Sequence, residues 1–159
     1  MKIIVVSDTH NSTNLMEKEI LPRHEGEAQV VLHLGDFADD LIELKEQFPS
    51  YEMAWVGGAY ELDKQRETIL EFLGKKILIT HGHMLGVKEG LNRIVNHAAS
   101  QNVDACFFGH THQATMFKID NILFMNPGNL VEHSMGNKNS YGLVTITDDG
   151  EISGEVVYL

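Results

Sequence analysis

Cysteine is almost missing from this chain of 159 residues: Cys106 stands alone. An internal disulfide is therefore excluded, and the count fits a reducing cytoplasm. Its neighbours Ala105, Phe107 and Phe108 are apolar, so Cys106 reads as core rather than as a reactive thiol. Proline is scarce too, at three residues, and no linker, low-complexity segment or internal repeat is visible. Basic residues are few: 12 against 23 acidic ones, a formal net charge of −11. That balance disfavours a surface built to neutralise phosphate backbones, and so disfavours nucleic-acid binding. No apolar run is long enough to span a bilayer, and the first residues lead straight into a strand pattern rather than a signal peptide. The expectation is a cytoplasmic protein without a membrane partner.

What is present is a composition of 43% hydrophobic and 22% charged residues, which suits one globular domain over 1–159 with a proper core. Nine histidines is the more telling count, because of where they fall. Ile3-Ile4-Val5-Val6 is a continuous β-branched run, the pattern of a strand buried on both faces. It ends in Asp8 and His10, a carboxylate and an imidazole at a spacing that can put both on one side. In open α/β sheets, ligands bind beyond the carboxyl ends of the strands, so the ends of the later strands matter most.

After the capping-rich run Asn11-Ser12-Thr13-Asn14, a helix is predicted over Leu15 to Leu21, ended or kinked by Pro22. Strands are predicted at Gln29–Leu34, Met53–Val56, Lys76–Thr80 and Ala105–Phe108. The spacers between them read as helices: Leu41 to Phe48, about Asp63 to Leu73 (Ile69, Leu70 and Leu73 on one side), and Val87 to Ser100. From His112 onward the pattern changes to strands at Met116–Ile119, Ile122–Met125, Gly142–Ile146 and Ile152–Tyr158. Asp120-Asn121 and Asp148-Asp149-Gly150 supply turn signals there. A βα half followed by a meander predicts an α/β fold, two sheets packed face to face as a β-sandwich flanked by helices.

Five strand ends carry polar clusters: Asp8/His10, Gly35-Asp36, Gly57 to Glu61, His81/His83 and His110/His112. A lone Gly-Asp is most often a turn, and a lone histidine after a strand is most often a cap or surface residue. The repetition changes that balance. Mixed Asp and His ligation suits first-row divalent ions. Six or more such groups are too many for one catalytic ion that must keep a position open. They suit two ions sharing a carboxylate, about 3.5–4 Å apart. His24, His33, His97 and His133 read as structural.

Asp8-Thr9-His10, Gly35-Asp36, Thr80-His81-Gly82-His83 and Gly109-His110-Thr111-His112, in this order, resemble the calcineurin-like metallophosphoesterases. The closest likeness is the small single-domain phosphodiesterase branch, with its related, metal-poor retromer subunit. Asn126-Pro127-Gly128-Asn129 is similar to that branch's late Asn-Pro-Gly-Ser loop. The resemblance implies an α/β/β/α fold and two divalent metal ions. Mn²⁺ is preferred, with Ni²⁺, Fe²⁺, Co²⁺, Zn²⁺ or Mg²⁺ as alternatives. Asp8, His10, Asp36 and His112 would hold one ion; Asp36 would bridge to a second, held also by His81 and His110. Asp36 and His83 are the implied catalytic residues, with His83 also binding substrate phosphate.

One position departs inside the ligand set. The family's third strand ends in Gly-Asn, and the Asn ligates the second ion; here the residues are Gly58-Ala59-Tyr60-Glu61, and Ala59 has no side-chain donor. Three readings stay open: a second ion with water in the missing position, Glu61 or Tyr60 swinging in, or a second ion lost. The general-acid His of larger relatives would align with Tyr60, so good leaving groups should be favoured. The implied activity is phosphodiester hydrolysis by a hydroxide bridging two metals, on a small-molecule phosphodiester. The alternative is a catalytically weak or inactive scaffold that binds a protein partner, and self-association as a homo-oligomer is left open.

Overall fold

The β-branched opening run becomes the middle of a sheet. In the computed structural model, which describes residues 1–10, 13–131 and 138–159, β1 (Lys2–Val6) is flanked on one side by β2 (Val30–His33) and β3 (Glu52–Trp55), all parallel. On its other side lie β9 (Ser140–Ile146) and β10 (Ile152–Tyr158), antiparallel. The order of this sheet is β10-β9-β1-β2-β3. The second sheet has the order β4-β5-β6-β8-β7, from β4 (Glu67–Phe72), β5 (Lys75–Thr80), β6 (Ala105–Phe108), β7 (Thr115–Ile119) and β8 (Ile122–Asn126).

Alternation along the strands divides the core into three layers. Ile3, Val5, Val30 and Leu32 point between the sheets to meet Ile77, Ile79, Phe107, Leu123 and Met125. Ile4, Val6 and Val31 point outward against Met16, Ile20 and Leu21 and against Leu41 and Leu44 of α2 (Asp40–Gln47). Met16, Ile20 and Leu21 belong to a π-helical turn, Met16–Ile20, that runs into α1 (Leu21–Arg23). On the far side, Leu78, Cys106, Phe108 and Phe124 pack on Ile94 and Ala98 of α3 (Asn92–Gln101). This is the predicted two-sheet sandwich with helices outside. Cys106 is fully buried, as expected.

Two predicted helices need correction. The segment read as a helix over Asp63 to Leu73 contains β4, which pairs antiparallel with β5 through the two-residue turn Leu73-Gly74. Both turn residues have positive φ, 49° and 75°, which matches the right-handed twist of a hairpin. The apolar residues that mimicked a helical stripe alternate instead: Phe72 is buried and Leu70 packs on the inter-sheet core, while Ile69 and Leu73 are exposed. The predicted helix from Val87 begins later, at Asn92; before it come a short 3₁₀ turn, His83–Leu85, and further turns. Of the histidines read as structural, His24 bonds Tyr141 Oη at 2.8 Å and His97 pairs with Glu67 at 2.9 Å. His133, Asn11 and Ser12 lie outside the described residues.

Candidate metal centre

The carboxyl ends of β1, β2, β5 and the loop after β6 converge, and each contributes one part of the site. Asp8 follows β1, is fully buried, and has its two carboxylate oxygens in different surroundings. Oδ2 accepts from Ser7 Oγ at 2.5 Å and from the His110 amide at 3.1 Å. Oδ1 has no aligned hydrogen-bond partner, although His112 Nε2 lies 3.1 Å away. His10 Nε2 is likewise buried and unpartnered, 4.0 Å from Asp36 Oδ2. A buried imidazole nitrogen without a hydrogen bond, beside a carboxylate oxygen met only by His112, is costly unless something else occupies the crevice.

Asp36 divides its oxygens in the same way. Oδ1 accepts from the Ala59 amide at 2.8 Å, and Oδ2 faces His81 Nε2 at 3.4 Å. His81 is fixed from behind: its Nδ1 lies 2.8 Å from the Leu34 carbonyl and carries a proton to it, which turns Nε2 toward the site. Burial would lower its pKa, but Asp36 and Asp8 outweigh that and raise it. His110 Nδ1 lies 3.1 Å from that Nε2. Asp8, His10, Asp36 and His112 thus offer ligand atoms within 4.8 Å of one another, and Asp36, His81 and His110 do the same. Asp36 belongs to both groups. The donor set and its unpartnered atoms fit divalent transition metals.

Burial alone would raise the Asp36 carboxyl, but His81, the Ala59 amide and His10 outweigh it and hold it well below the usual carboxylate range. Asp8 is likewise lowered against the pull of burial, by His112, His81 and Ser7. Burial, reinforced by His81, pushes His110 down to about 4, and burial with His81 and Arg66 lowers His83. The carboxylates are therefore ionised and both of these imidazoles neutral near pH 7, the forms that metals and phosphoryl groups meet.

The backbone here is strained. Of ten non-glycine residues with positive φ among the described residues, six are Asp8, His10, Asp36, Phe37, His110 and His112. Such strain gathers where a site over-determines the chain. Gly58 permits the close approach of the third strand end, since a Cβ there would collide with the Asp36 amide and Oδ1.

All seven residues expected at the site are brought together. His83 sits at the edge of the second group, its ring 5.4 Å from that of His81 and 6.0 Å from that of His110. Ala59 lies where a second-ion ligand was expected and supplies only its amide. Glu61 does not take over: its two oxygens accept from the Ala38 amide at 2.9 Å and the Gly58 amide at 2.7 Å. Tyr60 turns the other way, toward Phe37 and His10, and is 72% exposed.

Three supporting residues escaped the sequence reading. Ser7 holds Asp8, as described. Asn126 Nδ2 donates to the Gly109 carbonyl at 2.9 Å and so holds the loop that carries His110 and His112. Arg66 Nη1 donates to the Gly58 carbonyl. A small polar residue after an apolar run looks like any turn residue, so only the Asn-Pro-Gly motif around Asn126 gave a signal.

Known proteins share this fold and define its family. The profile of the calcineurin-like phosphoesterase superfamily domain matches residues 1–149. The chain belongs to that superfamily. It is 31% identical over 152 residues to the probable metallophosphoesterase YsnB of Bacillus subtilis, covering 94% of this chain and 86% of that one. It is 27% identical to a phosphodiesterase of Methanocaldococcus jannaschii, over 80% of this chain and 83% of that one. Among solved structures, a predicted phosphoesterase from Streptococcus pneumoniae superposes with a TM-score of 0.71 at 24% identity, covering 99% of this chain and 97% of that one. Vps29 of Entamoeba histolytica, complexed with Zn²⁺, gives 0.75 at 20% identity over 99% of each chain. At these identities the two structures speak for the fold. Among the described residues, no helix is long and apolar enough to cross a membrane.

Proposed function

We propose that this chain is a metal-dependent phosphodiesterase, with residues 1–159 acting as one domain and its site formed by Asp8, His10, Asp36, His81, His110 and His112. The observation that carries the reading is Asp36 Oδ2, left facing both ligand groups because Oδ1 is engaged by the Ala59 amide. Two divalent ions, Mn²⁺ being the preferred choice, would supply Lewis-acid polarisation of the phosphoryl oxygens and a water acidified to the hydroxide that attacks phosphorus.

The remaining work falls to side chains. Asp8 and Asp36, ionised and each locked by donors on one oxygen, present fixed negative charge to the centre. His81 is oriented by the Leu34 carbonyl. His83, neutral and beside the second group, holds a phosphoryl oxygen of the substrate as charge grows on it. Among the residues at the site, Tyr60 replaces the family's acid histidine and turns toward Phe37, so no imidazole is placed to protonate a poor leaving group. Small aryl phosphodiesters are the expected substrates. A cytoplasmic setting is part of this proposal, in keeping with a single, buried cysteine.

A scaffold function is the second reading, and Ala59 favours it because the second group is left with three residues. The test is hydrolysis of bis(4-nitrophenyl) phosphate across a Mn²⁺ titration, with elemental analysis of the same samples. Turnover that rises with bound metal, is abolished in Asp36→Ala and is reduced with metal retained in His83→Ala supports the enzyme. Full metal occupancy without turnover supports the scaffold.

A further inference from the structure

Arg66 is brought to the site by topology. β4 runs antiparallel to β5 with Glu67 opposite Thr80, so the residue that enters β4 lies beside the one that leaves β5, which is His81. Thr80 Oγ1 donates to the Arg66 carbonyl at 3.3 Å and fixes its backbone. The side chain then folds back over the Gly58-Ala59 loop: Nη1 donates to the Gly58 carbonyl and lies 3.5 Å from His83 Nε2. The guanidinium is thus seated on Gly58, the neighbour of Ala59, and against the histidine assigned to substrate phosphate.

What sets Arg66 apart is where its partners lie: a backbone carbonyl and a histidine at the edge of the site. Lys2, Lys64 and Lys75 each pair with a carboxylate, at 2.9, 2.7 and 3.2 Å. Among the described residues no carboxylate pairs with Arg66, even though the chain carries a net charge of −11. Among the described residues only Nη1 is engaged, which leaves Nε and Nη2 with N–H donors to spare. A planar fork with spare donors matches the geometry of phosphoryl oxygens.

We propose that Arg66 is a substrate-binding residue that holds a non-bridging phosphoryl oxygen of the ester on the side of the site where Ala59 offers no ligand. Its charge is permanent, so it stabilises the bound phosphoryl group independently of how well the second ion is held. The proposal rests on the phosphoesterase reading for its substrate, but not for its ligand chemistry, which is a phosphoryl anion. The rival account is that Arg66 merely braces the Gly58 carbonyl.

The experiment compares wild type, Arg66→Gln and Arg66→Lys, each loaded with Mn²⁺. It measures metal content, inorganic phosphate binding by calorimetry, and kcat and KM on bis(4-nitrophenyl) phosphate. Losing a charge-assisted bond to a bound anion should weaken phosphate binding and raise KM by about 10–100-fold in Arg66→Gln, with metal content unchanged. Arg66→Lys, which keeps the charge and loses the fork, should fall between. Phosphate affinity unchanged in Arg66→Gln, or no phosphate binding to wild type, overturns the proposal. Loss of Mn²⁺ from both variants also overturns it, in favour of a brace. If wild type binds phosphate through Arg66 yet hydrolyses no ester, the phosphoesterase reading fails and this one stands. If it hydrolyses esters and Arg66→Gln binds phosphate normally, the reverse holds.

Discussion

The amide of Ala59 donates to Asp36 Oδ1 at 2.8 Å. Residue 59 therefore still performs the backbone half of its task, aiming Asp36 Oδ2 into the crevice, although its side chain contributes nothing. The two halves are separable by mutation.

Ala59→Asn restores a side-chain oxygen without disturbing that amide. One added neutral ligand should tighten the second ion by about tenfold or more, given that about 1.4 kcal/mol corresponds to a factor of ten. Activity of the variant should reach its plateau at lower Mn²⁺ than that of the present chain, and the two should converge at saturation. Superimposable titrations would place Ala59 away from the second ion.

Ser7→Ala removes a donor to Asp8 Oδ2 and leaves the His110 amide as the other. Partners that orient a metal ligand typically contribute 10–100-fold to affinity. Calorimetry should show Mn²⁺ binding weakened by roughly that range, with little change in melting temperature. Unaltered affinity would mean that Asp8 keeps its orientation through His110 alone.

Asp36→Asn retains an oxygen for the Ala59 amide but loses the shared negative charge. We expect a folded protein with both ions weakened and turnover reduced to background. Asp36→Ala should in addition release the Gly58-Ala59 loop, so its melting temperature should fall below that of Asp36→Asn. Equal melting temperatures would show that the loop does not depend on this bond.

His33 gives a pH dependence of stability that belongs to the metal-free protein. It is fully buried, its Nδ1 accepting from the Gly35 amide at 3.1 Å and its Nε2 lying 3.0 Å from Thr9 Oγ1. Burial pushes its pKa down to about 4. Below about 6.5 the unfolded chain takes up a proton that the folded one refuses, so stability present at neutral pH is lost as pH falls toward 4. The integrated loss is on the order of 3 kcal/mol. Urea unfolding of wild type and His33→Gln, at pH 7 and pH 4.5, should show a smaller pH-dependent loss in the variant; equal losses would assign the effect to other groups.

The candidate ligands were legible because each follows a buried apolar run, which marks both a strand and its end. Asp8, Asp36, His81 and His110 all announce themselves this way, and the sandwich follows from the same runs. β4 was not legible. Its Ile69, Leu70 and Leu73 satisfy a helical period as well as a strand's, and Leu73-Gly74 is a turn only if the chain on either side is already extended. The error hid Arg66, since the last residue before a strand is placed by the strand's partner, here β5. Ser7 was hidden for another reason: a serine beside an aspartate is common, and nothing local shows that its hydroxyl turns to that carboxylate. Asn126 stood in a visible motif, but its bond to the Gly109 carbonyl spans 17 residues.

The six left-handed residues around the crevice bear on how this fold can age and be reused. Each L-residue held there costs on the order of 1–3 kcal/mol that glycine would not incur. Selection for thermal robustness and selection for the chemistry of Asp8, Asp36, His110 and His112 therefore pull in opposite directions at the same positions. Phe37 is the exception, being strained without supplying a ligand atom. It is the first place to look for a hardier protein that keeps the crevice intact, whereas a change at any of the other five would give up a candidate ligand.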